Sequence, residues 1–311
     1  MAVTIPAPRP AVPTVVRGDA DARQGRRSGL YLSLPFLVLY VLFFLGPLGY
    51  GAVMSLFNTS IAHSGLGSAR GLGNYAEVLS SADFWSSMWH SVQFTLYTTI
   101  PLVVISLLLA LLTERVRRGR GFYRFVFFAP YVIPSASVAL IFGLVYAAQI
   151  GLATTWLTAI GITAPNWLGS TGWAMISMAL LTLWWTVGFN YVLYVAALQD
   201  IPRDVYDAAA VDGARGWATI RHITVPLLGR TTALVVALQV IASLKVFDQI
   251  YLVLVGGPNF STRPALEYIY ESGFTDYRAG YADAASLVYL VVILAVSALW
   301  LVAGRIIGRK G

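Results

Sequence analysis

The sequence predicts an all-α membrane protein with six transmembrane helices and a cytoplasmic loop between helices 4 and 5. Hydrophobic side chains make up 58% of the 311 residues and charged ones only 11%, with a mean hydropathy of +0.71. Ordinary soluble domains are far less apolar. The apolar residues also form uncharged runs near the length of about 20 residues that a membrane-spanning helix needs. We therefore take the lipid bilayer as the main surroundings of this chain.

Six runs reach that length, and each is interpreted as one span. They cover residues 30–53, 91–113, 123–146, 173–198, 231–255 and 284–303. Residues 1–29, rich in Pro, Ala and Arg, are expected to be a disordered cytoplasmic tail, 30–304 the transmembrane domain and 305–311 a second tail. The pair Arg26 and Arg27 could instead begin a secretory signal, including a twin-arginine one. The next run is longer than a signal's apolar segment, which favours an uncleaved first span.

The distribution of Lys and Arg predicts the orientation. The amino tail carries five, the second loop five, the fourth loop four and the carboxyl tail three, whereas the opposite side has only Arg70, Arg263 and Arg278. Positive charge accumulates on the cytoplasmic side of membrane proteins, so both termini are expected there. A net charge of +7 can also indicate nucleic-acid binding. Here the basic residues alternate with apolar runs, which favours membrane lipid as partner and excludes nucleic acid.

Cofactor and metal chemistry find little support. Cysteine is absent and the three histidines are scattered, so no metal site is predicted. The stretch 147–172 is uncharged and is expected to form a short helix on the outer surface. That helix would bury four side chains: Trp156, Leu157, Ile160 and Trp167.

The loop at residues 199–228, called here the coupling loop, has the signals of two short helices. Asp200 is a suitable N-cap and Pro202 fits a first turn, so a helix is expected from about residue 201. Gly213 can end it, and Gly216 then permits a turn into a second helix over 217–222. The three alanines at 208–210 would keep the first helix thin enough for another protein to approach, although high helix propensity explains them equally.

The same loop carries a recognisable motif. Asp207-Ala208-Ala209, Gly213, Ile223 and Val225-Pro226 resemble the EAA loop of binding-protein-dependent ABC importer permeases, with Asp207 for the usual Glu and Val225 for the usual Leu. The resemblance implies that the first helix sits in a cleft of a separate ATP-binding subunit. The residues expected to couple the two are Asp204, Asp207, Ala208, Ala209, Asp212, Gly213, Ile223 and Pro226.

The resemblance also implies an assembly in the bacterial inner membrane. It would contain a second, homologous permease subunit, two ATP-binding subunits and an extracytoplasmic solute-binding protein. This chain has no Gly-rich phosphate loop ending in Gly-Lys-Ser or Gly-Lys-Thr, so a partner is expected to bind ATP and this subunit to be non-catalytic and without cofactor.

Several segments look more like permeases for carbohydrate and glycerol-3-phosphate than those for amino acids or metals. They include residues 71–75, 166–168, 244–251 and 256–258. What this implies is a sugar or sugar-like solute, moved by alternating access.

The fifth span contains two charges, Lys245 and Asp248. Residues three apart share a face of a continuous helix, so the two are expected either to pair or to line the solute path. Other candidates for that path are Trp184, Asn190, Tyr191, Tyr194, Gln239 and Ser243, because sugars bind to aromatic faces and to amide or hydroxyl groups. Helix packing or lipid contact explains each of them as well, and Asn190 is the best single candidate.

Two rival classes remain. A stand-alone ion-coupled carrier or channel would be favoured by broken helices or several intramembrane acids, and here only Asp248 is available. A membrane enzyme would need a nucleophile with a base, or a metal cluster, and the sequence offers neither.

Overall fold

The computed structural model describes residues 32–116 and 118–308, with residues 301 and 303–308 described by backbone only. The predicted tail 1–29, including Arg26 and Arg27, lies outside the described residues. Apart from one isolated bridge between Phe57 and Ala69, the regular structure in the described ranges is helical. The predicted all-α membrane fold is confirmed.

Thirteen helical segments follow one another in the described residues. We label them α1 (Leu32–Met54), α2 (Gly73–Ser80), α3 (Ala82–Arg115), α4 (Arg120–Val132), α5 (Ser135–Val145), α6 (Leu152–Ala159), α7 (Thr171–Gln199), α8 (Arg203–Val211), α9 (Trp217–Leu227), α10 (Gly229–Leu244), α11 (Asp248–Leu254), α12 (Ala265–Tyr270, continued by a π turn at Glu271–Thr275) and α13 (Ala279–Gly308). Residues up to Val53 form a unit of their own.

Four helices, α1, α3, α7 and the first 22 residues of α13, are long and apolar enough to cross a membrane unbroken. Two bent pairs, α4 with α5 and α9 with α10, bring the total to six if each counts as one span. The helices also extend beyond the predicted runs. For example, α3 begins at Ala82 because the hydroxyl of Ser81 accepts from the N–H of Phe84 at 3.2 Å.

The third span is not the straight helix that its apolar run suggested. It bends by 95° between α4 and α5. Pro134 explains the bend: it lacks an N–H, and it forces the preceding Ile133 into an extended conformation with ψ of 132°.

The fifth span is also not continuous. Helix α10 ends at Leu244, Phe247 is non-helical with φ of −150°, and α11 begins at Asp248. The break lets the side chain of Val246, only 4% exposed, pack in a core cluster with Phe94 and Ile250. Tertiary packing here overrides the helical preference of an apolar run.

Three clusters of buried side chains hold the described helices from 54 onward together. One joins α2, α3, α12 and α13, a second joins α3, α5, α7 and α11, and a third surrounds Tyr191 and Tyr194 of α7. At Gly188, a Cβ atom would lie 2.1 Å from the carbonyl oxygen of Phe127, so α4 and α7 cross in direct contact. Glycine is required at that crossing.

The short helix in the uncharged outer stretch is present as α6. Trp167 is buried as expected, and Leu157 is half-buried. Trp156 and Ile160 are each 70% exposed on this chain, so their burial against the outer membrane surface or over the pore mouth stays a prediction. The helix is short, and α5 covers only one side of it.

Candidate functional site

The first helix of the coupling loop is α8, two residues later than its predicted start. Pro202 occupies the N-cap position with no side-chain cap, while Asp200 terminates α7, its N–H bonded to the carbonyl of Ala196 at 3.3 Å. The predicted capping role of Asp200 is therefore wrong, because α7 runs further than its apolar stretch.

The helix ends where the sequence predicted. Gly213 has φ of +83°, its N–H donates to the carbonyl of Ala210 at 3.2 Å, and the N–H of Ala214 donates to that of Ala209 at 2.9 Å. These two bonds form a Schellman motif, which favours glycine at this position.

The second helix, α9, begins after Gly216, as expected, but continues to Leu227. A π turn at Ile220–Thr224 interrupts it. The hydroxyls of Tyr206 and Thr224 are 3.4 Å apart and connect α8 to α9. Helix α9 then meets α10 at an angle of 62°.

Helix α8 has two distinct faces. Ala209 is 4% exposed and faces this chain, flanked by half-buried Val205 and Tyr206. The outward face consists of residues spaced three and four apart, as one stripe of a helix requires: Asp204, Asp207, Ala208 and Val211. Val211 is 87% exposed. The structure thus divides the alanine run: Ala208 faces outward, whereas Ala209 lets α8 approach its own chain.

The other predicted coupling residues are placed less uniformly. Asp212, Gly213 and Pro226 are exposed, and Ile223 is half-buried. The ion pairs found across residues 32–116 and 118–308 do not include Asp204, Asp207 or Asp212. The outward face of α8 therefore carries two unpaired carboxylates, with the exposed side chain of Val211 at its end.

A cavity of about 560 Å³ lies beneath the coupling loop. Its walls come from α8 and α9 on one side and from the ends of α3 and α7 on the other, among them Leu111, Glu114, Leu198, Tyr206 and Thr224. Part of the loop is therefore not tightly packed on the membrane helices.

Five of the eight solute-path candidates are buried inside this chain. Asn190 donates to the side-chain carbonyl of Gln239 at 3.1 Å, which joins α7 to α10. Ser243 and Thr98 have hydroxyls 2.9 Å apart, which joins α10 to α3. Tyr191 and Tyr194 are fully buried in the third cluster. All five pack between helices of this chain, although the Asn190 Oδ1 and the Tyr191 hydroxyl have no hydrogen-bond partner in the described residues.

The other three candidates, Trp184, Lys245 and Asp248, are exposed. The ring of Trp184 packs against that of Phe142 with centroids 5.3 Å apart. Lys245 follows the last residue of α10, and Asp248 is the first residue of α11. The proposed Lys245–Asp248 pair is absent from the ion pairs of the described residues, since the break places the two on different helices. Each charge instead suits the helix end beside it: a cation at a carboxyl end, an anion at an amino end.

Asp248 has another partner that the sequence did not reveal. The hydroxyl of Ser135 donates to its carboxylate at 2.9 Å, which links the start of α5 to the start of α11. Pro134 signals the restart that places Ser135 there. No comparable sequence signal marks Thr98, Phe142 or the Tyr206–Thr224 contact.

Comparison with known proteins places this geometry among transport proteins. A family model described as "Binding-protein-dependent transport system inner membrane component" matches residues 102–310. The "Probable ABC transporter permease protein YurN" of Bacillus subtilis is 32% identical over 271 residues, covering 86% of this chain and 92% of that protein. The "Trehalose/maltose transport system permease protein MalF" of Thermococcus litoralis is 31% identical over 283 residues, covering 90% and 94%.

Among solved structures, a bacterial ABC transporter "involved in the import of the acidic polysaccharide alginate" has a chain of similar fold. The TM-score is 0.79 at 24% identity, and the match covers 93% of this chain and 99% of that one.

Proposed function

Because the chain belongs to the family of binding-protein-dependent transport system inner membrane components, we propose that its coupling loop transmits the movement of an ATP-binding partner to a path for a sugar-like solute. The chain is a permease subunit of an ABC importer. ATP is bound and hydrolysed by the partner. Two such partners, a second permease and an extracytoplasmic solute-binding protein complete the assembly, with both termini of this chain in the cytoplasm.

The outward face of α8 is the observation that carries the coupling role. A stripe of two carboxylates, Asp204 and Asp207, and an exposed apolar side chain, Val211, lies on a short helix that adds nothing to the membrane-spanning core. Exposed apolar residues rimmed by charge are typical of protein interfaces. The cavity beneath the loop gives α8 room to shift when the partner moves.

Alternating access follows from these parts. ATP binding closes the partner subunits, draws the coupling loops together and turns the cavity between the two permeases outward. Trp184, Lys245 and Asp248 are exposed on this chain and are the candidate solute contacts in the cavity between the two permeases. The hydrogen bonds of the Gln239 amide and the Ser243 hydroxyl hold helix α10 against α7 and α3.

The coupling role is tested by replacing Gly213 with Phe. Its φ of +83° strains a larger residue, although a Cβ atom there meets nothing within 4 Å. We expect transport to be lost while membrane insertion is kept. Gly119 offers a matched control, because its φ is +84° and its surroundings are equally open, but it lies outside the coupling loop. Normal uptake by the Gly213 variant, or equal loss in both variants, contradicts the proposal.

The sugar class rests on the relatives. Their names include transport of trehalose and maltose, arabinooligosaccharides and sn-glycerol-3-phosphate. The partner solute-binding protein is the one that stimulates ATP hydrolysis by the reconstituted complex. Calorimetry of candidate ligands with that protein then identifies the solute. A carbohydrate or polyol phosphate is expected, and an amino acid or a metal ion refutes this class.

The broken fifth span is a feature that a stand-alone carrier would also show. Purification of the tagged chain from gently solubilised membranes distinguishes an ABC permease subunit from a stand-alone carrier. Recovery of a solute-stimulated ATPase is expected, whereas a lone chain that transports in liposomes contradicts the proposal.

A further inference from the structure

The segment that joins α11 to α12, called here the Gly-Gly turn (residues 255–263), has a strained backbone. Val255, Asn259 and Phe260 have φ of +48°, +51° and +56°. Only one other non-glycine residue in the described ranges, Tyr277, has a positive φ. A β-branched residue such as Val is an outlier in this region. Strain of this kind persists only where surrounding contacts enforce it.

One enforcing element is the side chain of Glu267 on α12. It is fully buried, and its Oε1 lies 3.5 Å from the position of a Cβ on Gly256. Neither carboxyl oxygen has a hydrogen-bond partner among the residues that the structure describes. Three more buried polar atoms nearby also lack one: Ser261 Oγ, Thr262 Oγ1 and Arg263 Nε. A charged carboxylate without partners is very costly inside a protein, so the neutral acid is strongly favoured.

The adjacent cation is already engaged. Arg263 pairs with Glu271 at 3.1 Å, and their side chains are 12% and 17% exposed. The Arg263 guanidinium also lies over the rings of Phe260 and Tyr268, at 4.4 and 5.0 Å. With Glu267 ionised, this cluster would hold two anions and one cation. A proton on Glu267 restores the balance.

The titratable groups around Glu267 come from the Gly-Gly turn and from four helices. They are Arg263 of the turn, Glu271 of α12, Tyr251 of α11, His90 of α3, whose ring nitrogen is 3.1 Å from the carbonyl of Arg263, and the hydroxyl pair Tyr268–Tyr281 between α12 and α13. Burial raises the pKa of Glu267 to about 8, the charge of Glu271 adds to the effect, and Arg263 opposes it.

We propose that Glu267 is a proton-binding site that keeps the Gly-Gly turn closed while its carboxyl is neutral, and that loss of the proton opens the turn. An ionised carboxylate needs water or a second hydrogen-bond donor, and in the closed turn the Glu267 side chain is fully buried. The strained turn is the part that can move. Since the turn follows the fifth span on the side predicted to be extracytoplasmic, it would respond to external pH. This role does not depend on the solute or on the coupling loop.

The sign of the effect on stability follows from the direction of the shift. A carboxyl whose pKa is higher in the folded state favours folding at low pH, and this advantage is lost as pH rises. The loss spans about pH 4.5 to about pH 8, with the folding equilibrium weakening about tenfold per pH unit. Glu267→Gln removes this slope. As pH rises across that window, the apparent melting temperature of the wild-type complex should therefore fall relative to that of the Glu267→Gln complex. Parallel profiles of melting temperature against pH overturn the proposal.

Opening of the turn can be measured directly, because the chain contains no cysteine. The Oγ of Ser261 is inaccessible, whereas Asn259 is exposed. The labelling rate of Ser261→Cys by a maleimide, divided by that of Asn259→Cys, cancels the intrinsic pH dependence of the thiol. This ratio should rise near pH 8. A ratio that stays flat through that pH overturns the proposal even if Glu267→Gln does not fold.

Infrared spectroscopy supplies a third readout. At neutral pH, the protonated-carboxyl band should disappear in Glu267→Gln and remain in the matched variant Glu271→Gln, whose carboxylate is paired with Arg263. Loss of the band in neither variant, or only in the Glu271 variant, refutes the assignment.

Discussion

The coupling loop and the Gly-Gly turn both reverse the chain with two glycines of positive φ, yet for different reasons. At Gly213 and Gly216 a Cβ atom would meet nothing within 4 Å. At Gly257 it would lie 2.2 Å from the hydroxyl of Thr262, and at Gly256 it would be 3.1 Å from the Phe260 ring. In the first region glycine serves only the backbone conformation. In the second it also serves close packing within the turn itself.

This difference has a functional side. A loop whose outward face is open can be engaged by another protein without disturbing its own fold. A turn clamped from beneath by buried groups responds instead to the state of those groups, here the protonation of Glu267. Under our two proposals, glycines of positive φ would serve a contact surface in one place and a sensor in the other.

The largest expected effect comes from comparing the stability losses of Gly257→Ala in the Gly-Gly turn and Gly213→Ala in the coupling loop. A positive φ costs alanine about 1–2 kcal/mol at Gly213. Gly257 has φ of +73° and ψ of −173°, a conformation that essentially only glycine adopts and that costs other residues about 1–3 kcal/mol, and overpacking there adds about 1–3 kcal/mol. Thermal unfolding in detergent should show a much larger loss for the Gly257 variant. Equal losses would mean that Thr262 can move aside and that the turn is not clamped.

The second prediction concerns the helices that flank the coupling loop. Asn190 of α7 and Gln239 of α10 form one of the buried side-chain bonds between these helices. A double-mutant cycle with alanine at both positions should give a coupling energy of about 1 kcal/mol, the scale of polar pairs in membranes. Additive losses would show that the loop is positioned by apolar packing alone.

Substitutions on the outward face of α8 should have the opposite pattern. They should change stability little and clearly weaken association with the ATP-binding subunit. Asp204→Asn with Asp207→Asn should change unfolding by less than about 0.5 kcal/mol, because both side chains are exposed. Affinity for the ATP-binding subunit should fall and lose part of its salt dependence. Asp200→Asn, on the same loop outside this face, is the control, and an equal loss of affinity there would show that the face is not the contact.

The smallest effect is expected at Glu77, which pairs with Arg278 and, at 2.8 Å, with Arg70. Burial pushes the pKa of Glu77 up, but the bonds and charges of the two arginines outweigh it and leave the pKa lowered. A lowered pKa stabilises the fold above the unfolded value, and the gain is lost as pH falls below about 4. The group is one-third exposed, so screening keeps this below about 1 kcal/mol. Wild type and Glu77→Gln should therefore diverge only above that pH, a trend opposite to that of Glu267.

Much of the coupling loop could be predicted from the sequence because its structure is local. Gly213 and Gly216 fix where α8 ends and α9 begins, and composition alone locates the spans. The 95° bend at Pro134 was open to prediction from the residue type but is invisible to hydropathy. The break at 245–247 could not be predicted in this way, because it depends on Val246 packing beside Phe94, a residue about 150 positions away. For the same reason the sequence could not show that Asn190 pairs with Gln239 and Ser243 with Thr98.

The hydrogen bond from Ser135 to Asp248 ties together two places where spans are interrupted. Helices α5 and α11 also pack together through Val138 and Ile250 in the second cluster, so the bond adds a polar contact to an existing interface. We expect a tilt of either short helix to be passed to the other. A bond to a carboxylate contributes about 1.5–3 kcal/mol at most, less on an exposed surface, which is enough to synchronise the two and too little to lock them.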